Sequence, residues 1–239
     1  MKKLVAITGA SSGIGKAIAS LFSQQGYPLL LVARRLDQLE ALNLPNTLCK
    51  QVDITDQLAF KKAILQAENL FGPTDALINN AGLMLLGSIS NQSIKEWQDM
   101  FNVNVLAMMN CIQVVLTGMQ ARKTGSIINM SSIAGRKTFA NHAAYCGSKF
   151  AVHALSENLR EEVSQDNVRI MTIAPGAVET PLLSHTTSEE IKENYTQWKK
   201  SMGGALDANV VANAVLFAYQ QPQQVCFREI VLAATKQTP

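Results

Sequence analysis

Short apolar runs rich in leucine and β-branched residues recur along this chain with helical patterns between them, and that alternation restricts the fold more than any other feature. The runs are KLVAIT (3–8), PLLLVA (28–33), NTLCKQVD (46–53), DALINN (75–80), GSIINMSS (125–132), VRIMTIAP (168–175) and EIVLAA (229–234). Helices are expected from Ile14 to Gln25, Asp37 to Leu42, Asp56 to Leu70, about Ser93 to Met119 and about Ala143 to Ser164. Strands that are apolar almost throughout must be buried on both faces. That requires helices above and below a parallel sheet, joined by right-handed crossovers. The expected fold is α/β, a doubly wound seven-stranded parallel sheet, and a chain of 239 residues has the length of one such domain.

In sheets of this kind ligands bind beyond the carboxyl ends of the strands, where the strand order reverses. Polar residues and glycines concentrate at those ends. They are Gly9 to Gly15 after the first run, Arg34 and Arg35 after the second, Asp53 after the third, Asn79 to Gly82 after the fourth, Ser131 and Ser132 closing the fifth, and Pro175 and Gly176 after the sixth. Ordinary loop chemistry would place turn residues at both ends of every strand, so this one-sidedness points to a site. Between the first strand and the first helix lies TGASSGIG, residues 8–15. One glycine suffices for such a turn. Gly9, Gly13 and Gly15 together suit a loop that a phosphate approaches closely, drawn by the free N–H groups and dipole of the following helix. Residues 179–203 interrupt the strand–helix rhythm with a polar, helical insertion beside the site and form a candidate lid.

Charge and cysteine usage narrow the class. With 21 basic and 18 acidic side chains the net charge is +3, too small to argue for nucleic acid or a membrane surface as partner. Cys49, Cys111, Cys146 and Cys226 are dispersed and form no C-x-x-C pair, so neither a disulfide framework nor a zinc site is indicated. The opening MKKLVAITGASSG is broken by glycines before it reaches the length of a signal or spanning segment. A cytoplasmic protein is expected.

The stretch YCGSK places Tyr145 and Lys149 four residues apart at the start of a helix, and such pairs share one face. A nearby ammonium favours the phenolate and brings a tyrosine toward proton transfer near neutral pH. Ser132 closes a strand thirteen residues earlier, where a hydroxyl can meet a substrate oxygen. Asn104 lies within an apolar helical stretch, where a buried amide needs partners.

Taken together, TGASSGIG, NNAG, Asn104, Ser132, Tyr145, Lys149 and PGAVET, in this order and spacing from Lys3 to about Pro181, resemble the short-chain dehydrogenase/reductase superfamily in its compact one-domain form. The resemblance implies a Rossmann-type fold and a four-residue proton machine beside a nicotinamide cofactor. In it Tyr145 is the general acid or base, Ser132 polarises the substrate oxygen, Lys149 lowers the Tyr145 pKa and holds the nicotinamide ribose, and Asn104 positions a relay water. It further implies cofactor contacts from Gly9, Ser11, Ser12, Gly13, Ile14 and Gly15, from Asp53, Asn80, Ala81 and Gly82 at the adenosine half, and from Pro175, Gly176, Val178 and Thr180 at the nicotinamide. Arg34 and Arg35 stand where an acidic residue would bind the ribose of NAD, which favours NADP(H) over NAD(H), although Asp37 lies close by.

The implied activity is hydride transfer between NADP(H) and a small carbonyl or alcohol substrate. The alternative is a catalytically silent NADP(H)-binding redox sensor, which would have no need of the relay residues. The substrate pocket is expected along Leu83 to Leu86, Ala134 to His142 and the lid, with Arg136, Lys137 and His142 as candidate contacts for an acidic substrate. Relatives are commonly dimers or tetramers built on long helices, and the apolar helix from Ser93 to Met119 suits a homo-oligomer.

Overall fold

The structure is a computed structural model and describes residues 2–237. Seven strands, β1 (Leu4–Thr8), β2 (Leu29–Ala33), β3 (Thr47–Gln51), β4 (Thr74–Asn79), β5 (Gly125–Met130), β6 (Val168–Pro175) and β7 (Glu229–Leu232), form one sheet in the order β3-β2-β1-β4-β5-β6-β7. Every pairing is parallel, and the order reverses between β1 and β4. The expected doubly wound sheet is therefore present.

Side chains alternate across each strand and divide the core into two layers. Val5, Ile7, Leu29 and Leu31 face one layer, while Leu4, Ala6, Leu30 and Val32 face the other. All of these are fully buried, which is why the strands read as continuous apolar runs. The first layer is closed by α1 (Gly13–Gln24) and α8 (Ala208–Gln220), whose Phe22, Val211 and Val215 are buried there. The second is closed by α3 (Gln57–Phe71), α5 (Ala107–Ala121) and α6 (Ala143–Glu162), through Phe60, Ile112 and Val152 among others.

Three further helices lie in the connections. They are α2 (Leu36–Glu40) after β2, α4 (Ile94–Phe101) before α5, and α7 (Glu189–Ser201) within the insertion. Asp56 caps α3 by accepting from the Ala59 amide at 2.9 Å, and Ser93 caps α4 by accepting from Glu96 at 3.2 Å, each quenching a free N–H at a helix start.

Two differences from the sequence expectation stand out. The long helix expected from Ser93 to Met119 runs from Ile94 to Ala121 but contains a π-helical turn at Asn102–Leu106. The chain between the insertion and β7 also folds into α8, which the periodicity did not disclose. In its sequence ANVVANAVLFAYQ the outward face mixes Asn209, Asn213 and Gln220 with the exposed Val210 and Phe217, so the polar stripe is blurred.

Candidate active site

Across the switch point the loops after β1 and β4 are pinned together. The Thr8 hydroxyl accepts from the amides of Asn80 and Ala81, both at 3.0 Å, and the Asn80 side-chain amide donates to the carbonyls of Thr8 and Gly9 at 3.0 and 3.2 Å. Glycine is required where the loops touch. Gly9 has φ +65°, and a Cβ on it would lie 2.7 Å from Ala81 Cα. Gly13 has φ +53° and faces Thr180, so the PGAVET segment folds over the glycine loop. Thr8 carried no special weight in the sequence, because a threonine at a strand end is common and its two acceptor contacts come from residues more than seventy positions away.

One cleft of about 1240 Å³ runs over the carboxyl ends of the strands. Of the residues expected at the cofactor, Gly9, Ser11, Ser12, Gly13, Ile14, Arg34, Arg35, Asp53, Asn80, Ala81, Gly82, Pro175, Gly176, Val178 and Thr180 all line it. Gly15 does not. It packs behind the loop, where a Cβ would lie 2.3 Å from the Gly9 carbonyl oxygen, so its missing side chain lets α1 approach the loop rather than exposing backbone to a ligand. Arg35 donates to the hydroxyls of Ser11 and Ser12, each at 3.1 Å, and stands exposed beside Arg34. Asp53 accepts from the Thr55 amide and hydroxyl at 3.0 and 2.7 Å, bonds that hold its carboxyl below the ordinary range.

Ser132, Tyr145 and Lys149 line the other end of the cleft. The sequence turns the chain there with a short 3₁₀ segment, Ile133–Gly135, which Ser132 caps by accepting from Ala134 at 3.1 Å. Tyr145 is buried, and burial raises its phenol above the ordinary value against a downward pull from a hydrogen bond with Ser132. Lys149 lies one turn on, its ammonium 5.8 Å from the centre of the Tyr145 ring. That ammonium donates to the Met130 carbonyl at 2.9 Å, and burial brings its pKa down to about 8. Burial thus dominates both groups, leaving the phenol protonated at neutral pH.

Asn104 is placed behind the wall rather than in it. It sits within the π turn, where its Oδ1 accepts from the Leu83 amide at 2.8 Å and its Nδ2 donates to the Leu83 carbonyl at 2.9 Å and to Ser148 at 3.0 Å. Gly82 brings it near Lys149, since a Cβ there would lie 3.5 Å from Asn104 Oδ1 and 3.9 Å from Lys149 Nζ.

The insertion borders the Tyr145 end. It opens with a 3₁₀ turn at Pro181–His185 and continues into α7, which contributes Ile191, Tyr195 and Trp198 to the cleft. The buried Thr186 accepts from the Leu86 amide at 3.1 Å, tying the insertion to the loop after β4. His142 lines the cleft, whereas Arg136 and Lys137 do not. Arg136 pairs with Glu229, and Lys137 lies over the Phe139 ring, 5.0 Å from its centre. A further network went unread in the sequence. Ser131 hydrogen-bonds His153 at 2.9 Å, and His153 meets Glu229 at 2.9 Å, which ties β7 to α6 behind the site.

Comparison with known proteins gives consistent matches. The family profile described as short chain dehydrogenase matches residues 3–214. The chain is 36% identical over 242 residues to an uncharacterized oxidoreductase of Staphylococcus saprophyticus, covering 99% of this chain and 97% of the relative. It is 37% identical over 243 residues to an uncharacterized oxidoreductase of Listeria monocytogenes, covering 98% and 97%. Among solved structures, the closed form of a serine dehydrogenase complexed with NADP+ superposes with a TM-score of 0.92 at 27% identity, covering 99% of this chain and 96% of that one. An alcohol dehydrogenase from the archaeon Thermococcus sibiricus, complexed with 5-hydroxy-NADP, gives 0.86 at 25% identity, covering 100% and 99%.

Proposed function

This chain belongs to the short chain dehydrogenase family, and from that premise we propose that it is an NADP(H)-dependent oxidoreductase that interconverts a small carbonyl compound and its alcohol. The observation that carries the reading is one cleft with a glycine-lined loop at one end and Ser132, Tyr145 and Lys149 at the other.

The residues present fit a dinucleotide. Gly9 and Gly13 present bare backbone to the cleft, and the loop opens onto the start of α1, whose free N–H groups suit a pyrophosphate. Arg34 and Arg35, with Ser11 and Ser12, offer guanidinium and hydroxyl donors to a 2′-phosphate. Asp53 and Asn80 to Gly82 border the adenosine half, and Pro175, Gly176, Val178 and Thr180 the nicotinamide half. The relatives crystallised with NADP+ and 5-hydroxy-NADP support the same preference.

The bound nicotinamide supplies or accepts the hydride. As the substrate carbonyl is reduced, negative charge grows on its oxygen. Tyr145, protonated at neutral pH, gives that oxygen its proton, and Ser132 donates a hydrogen bond that strengthens as the charge develops. In oxidation Tyr145 takes the proton back. Lys149 supplies a positive charge next to the phenol and holds the nicotinamide ribose. Asn104, its side chain engaged by Leu83 and Ser148, positions a relay water in this reading. The insertion 179–203 acts as a lid over the reacting end. The protein works in the cytoplasm as a homodimer or homotetramer.

The test is NADPH oxidation against a panel of aldehydes, ketones and keto esters, with Tyr145→Phe in parallel. The variant is expected to lose roughly 10²- to 10⁴-fold in kcat while still binding NADPH. Surviving turnover would refute the role of Tyr145, and tight NADPH binding without turnover across the panel would identify a redox sensor instead. NADPH is expected to be preferred over NADH, and Arg35→Ala to erode the preference. Equal use of NADH by the parent protein would overturn the cofactor assignment.

A further inference from the structure

The Tyr145 end of the cleft is walled by apolar and aromatic groups, with Met84, Leu86, Leu183, Ile191, Tyr195 and Trp198 among its lining. Rings line up along it. His142 and Tyr195 have centroids 6.2 Å apart, Tyr195 and Trp198 are 5.2 Å apart, and the Tyr145 ring lies 6.4 Å from His142.

Each cation near this end has a partner, or, as with Lys137, lies outside the cleft lining. Lys199 is held by Glu179 through bonds of 2.8 and 3.0 Å, Arg136 is paired with Glu229, and Lys149 is buried against the Met130 carbonyl. Arg34 and Arg35 stand at the opposite end, beside the glycine loop. His142 adds no charge. Its Nδ1 lies 2.6 Å from the Ala140 carbonyl, which can only accept, so the proton sits on Nδ1, and burial holds the imidazole pKa below its ordinary value. A carboxylate brought against Tyr145 would lose its water and, among the described residues lining this end, meet as its one cation without a carboxylate partner the Lys149 ammonium, which the nicotinamide ribose engages in the reading above. Such a loss weighs heavily against binding.

We propose that the substrate is an uncharged carbonyl compound with an apolar, ring-sized body lying along the His142, Tyr195 and Trp198 rings, and that carboxylate-bearing compounds, serine included, are discriminated against. This rests on the oxidoreductase reading above and narrows its substrate class. It also separates this chain from the serine dehydrogenase it superposes on, since serine carries a carboxylate next to its reacting centre.

Two near-isosteric probes test it, 1-phenyl-1,2-propanedione and phenylglyoxylate, which differ by a methyl ketone in place of a carboxylate. Calorimetric titration into protein saturated with NADP+ reads binding without turnover, and NADPH oxidation reads kcat/KM. The dione is expected to bind at least tenfold more tightly and to be reduced with at least tenfold higher kcat/KM. Trp198→Ala is expected to weaken dione binding about tenfold with NADPH affinity unchanged, and Lys137→Met to leave the preference intact. Equal or tighter binding of phenylglyoxylate, or no binding of either probe, would overturn the proposal. So would selective loss of phenylglyoxylate binding in Lys137→Met. Selective dione binding without reduction of any carbonyl would sustain the binding preference and refute the oxidoreductase reading alone.

Discussion

Lys149 carries its ammonium in a place almost closed to water, and stability should record the cost. Its pKa of about 8 in the fold lies below the ordinary 10.5, so between those values the unfolded chain binds the additional proton. The penalty is full below pH 8 and fades as pH climbs toward 10.5, so this residue alone makes stability rise with pH across that window. A shift of this size corresponds to about 3 kcal/mol. Thermal unfolding of Lys149→Met is therefore expected to show its stability relative to the parent declining as pH rises from 7 through 10.5, and a constant difference would contradict the buried charge. Gly9 is a second residue-scale case. Gly9→Ala meets both a positive φ and Ala81 backbone, and is expected to cost about 1–3 kcal/mol and to abolish NADPH binding, as denaturant unfolding and fluorescence titration will read. Gly26→Ala is the control, with φ +78° but nothing within 4 Å of the added atom, so it should leave the cofactor site intact. The Tyr145 and Lys149 pair was legible because four-residue spacing on a helix is local information. The bond from Lys149 to Met130 was not, because it joins a helix to a strand nineteen residues away.

Among elements, the π turn at Asn102–Leu106 connects fold and chemistry most directly. A π turn inserts a residue into the helical ladder and is common at functional sites. Here it houses an amide that satisfies the Leu83 N–H and carbonyl and meets Ser148. Asn104→Ala leaves these buried partners unmatched and is expected to lower stability by about 1–3 kcal/mol, checked by denaturant unfolding. If the relay role is right, kcat falls as well while KM for NADPH holds. The sequence marked Asn104 as unusual, since a polar residue interrupts an apolar run, but the run reads equally well as an uninterrupted α-helix. The α8 helix escaped because exposed Val210 and Phe217 interrupt the polar face of Asn209, Asn213 and Gln220.

At the scale of the whole molecule, Phe101, Leu106, Met109 and Phe150 are substantially exposed on the α4–α5 and α6 region. Burying this surface between copies is the reading behind the oligomer proposal. Light scattering is expected to report a dimer or tetramer, and Leu106→Glu to shift it toward the 26.0 kDa chain. A parent protein already at that mass would refute the proposal.

By itself the sequence determined the strand alternation, the glycine loop, the side of the sheet that carries the site and the spacing of Tyr145 and Lys149. Those features are written in short-range patterns, where the two-residue and 3.6-residue periods and the backbone demands of glycine operate within a few positions. Only the tertiary structure decided that Gly15 and Asn104 stand behind the cleft wall, that α7 brings Tyr195 and Trp198 to it, and that Arg136 is taken by Glu229, 93 residues further along the chain. The physical reason is that a side chain's availability depends on which distant group reaches it first, and no local period encodes that.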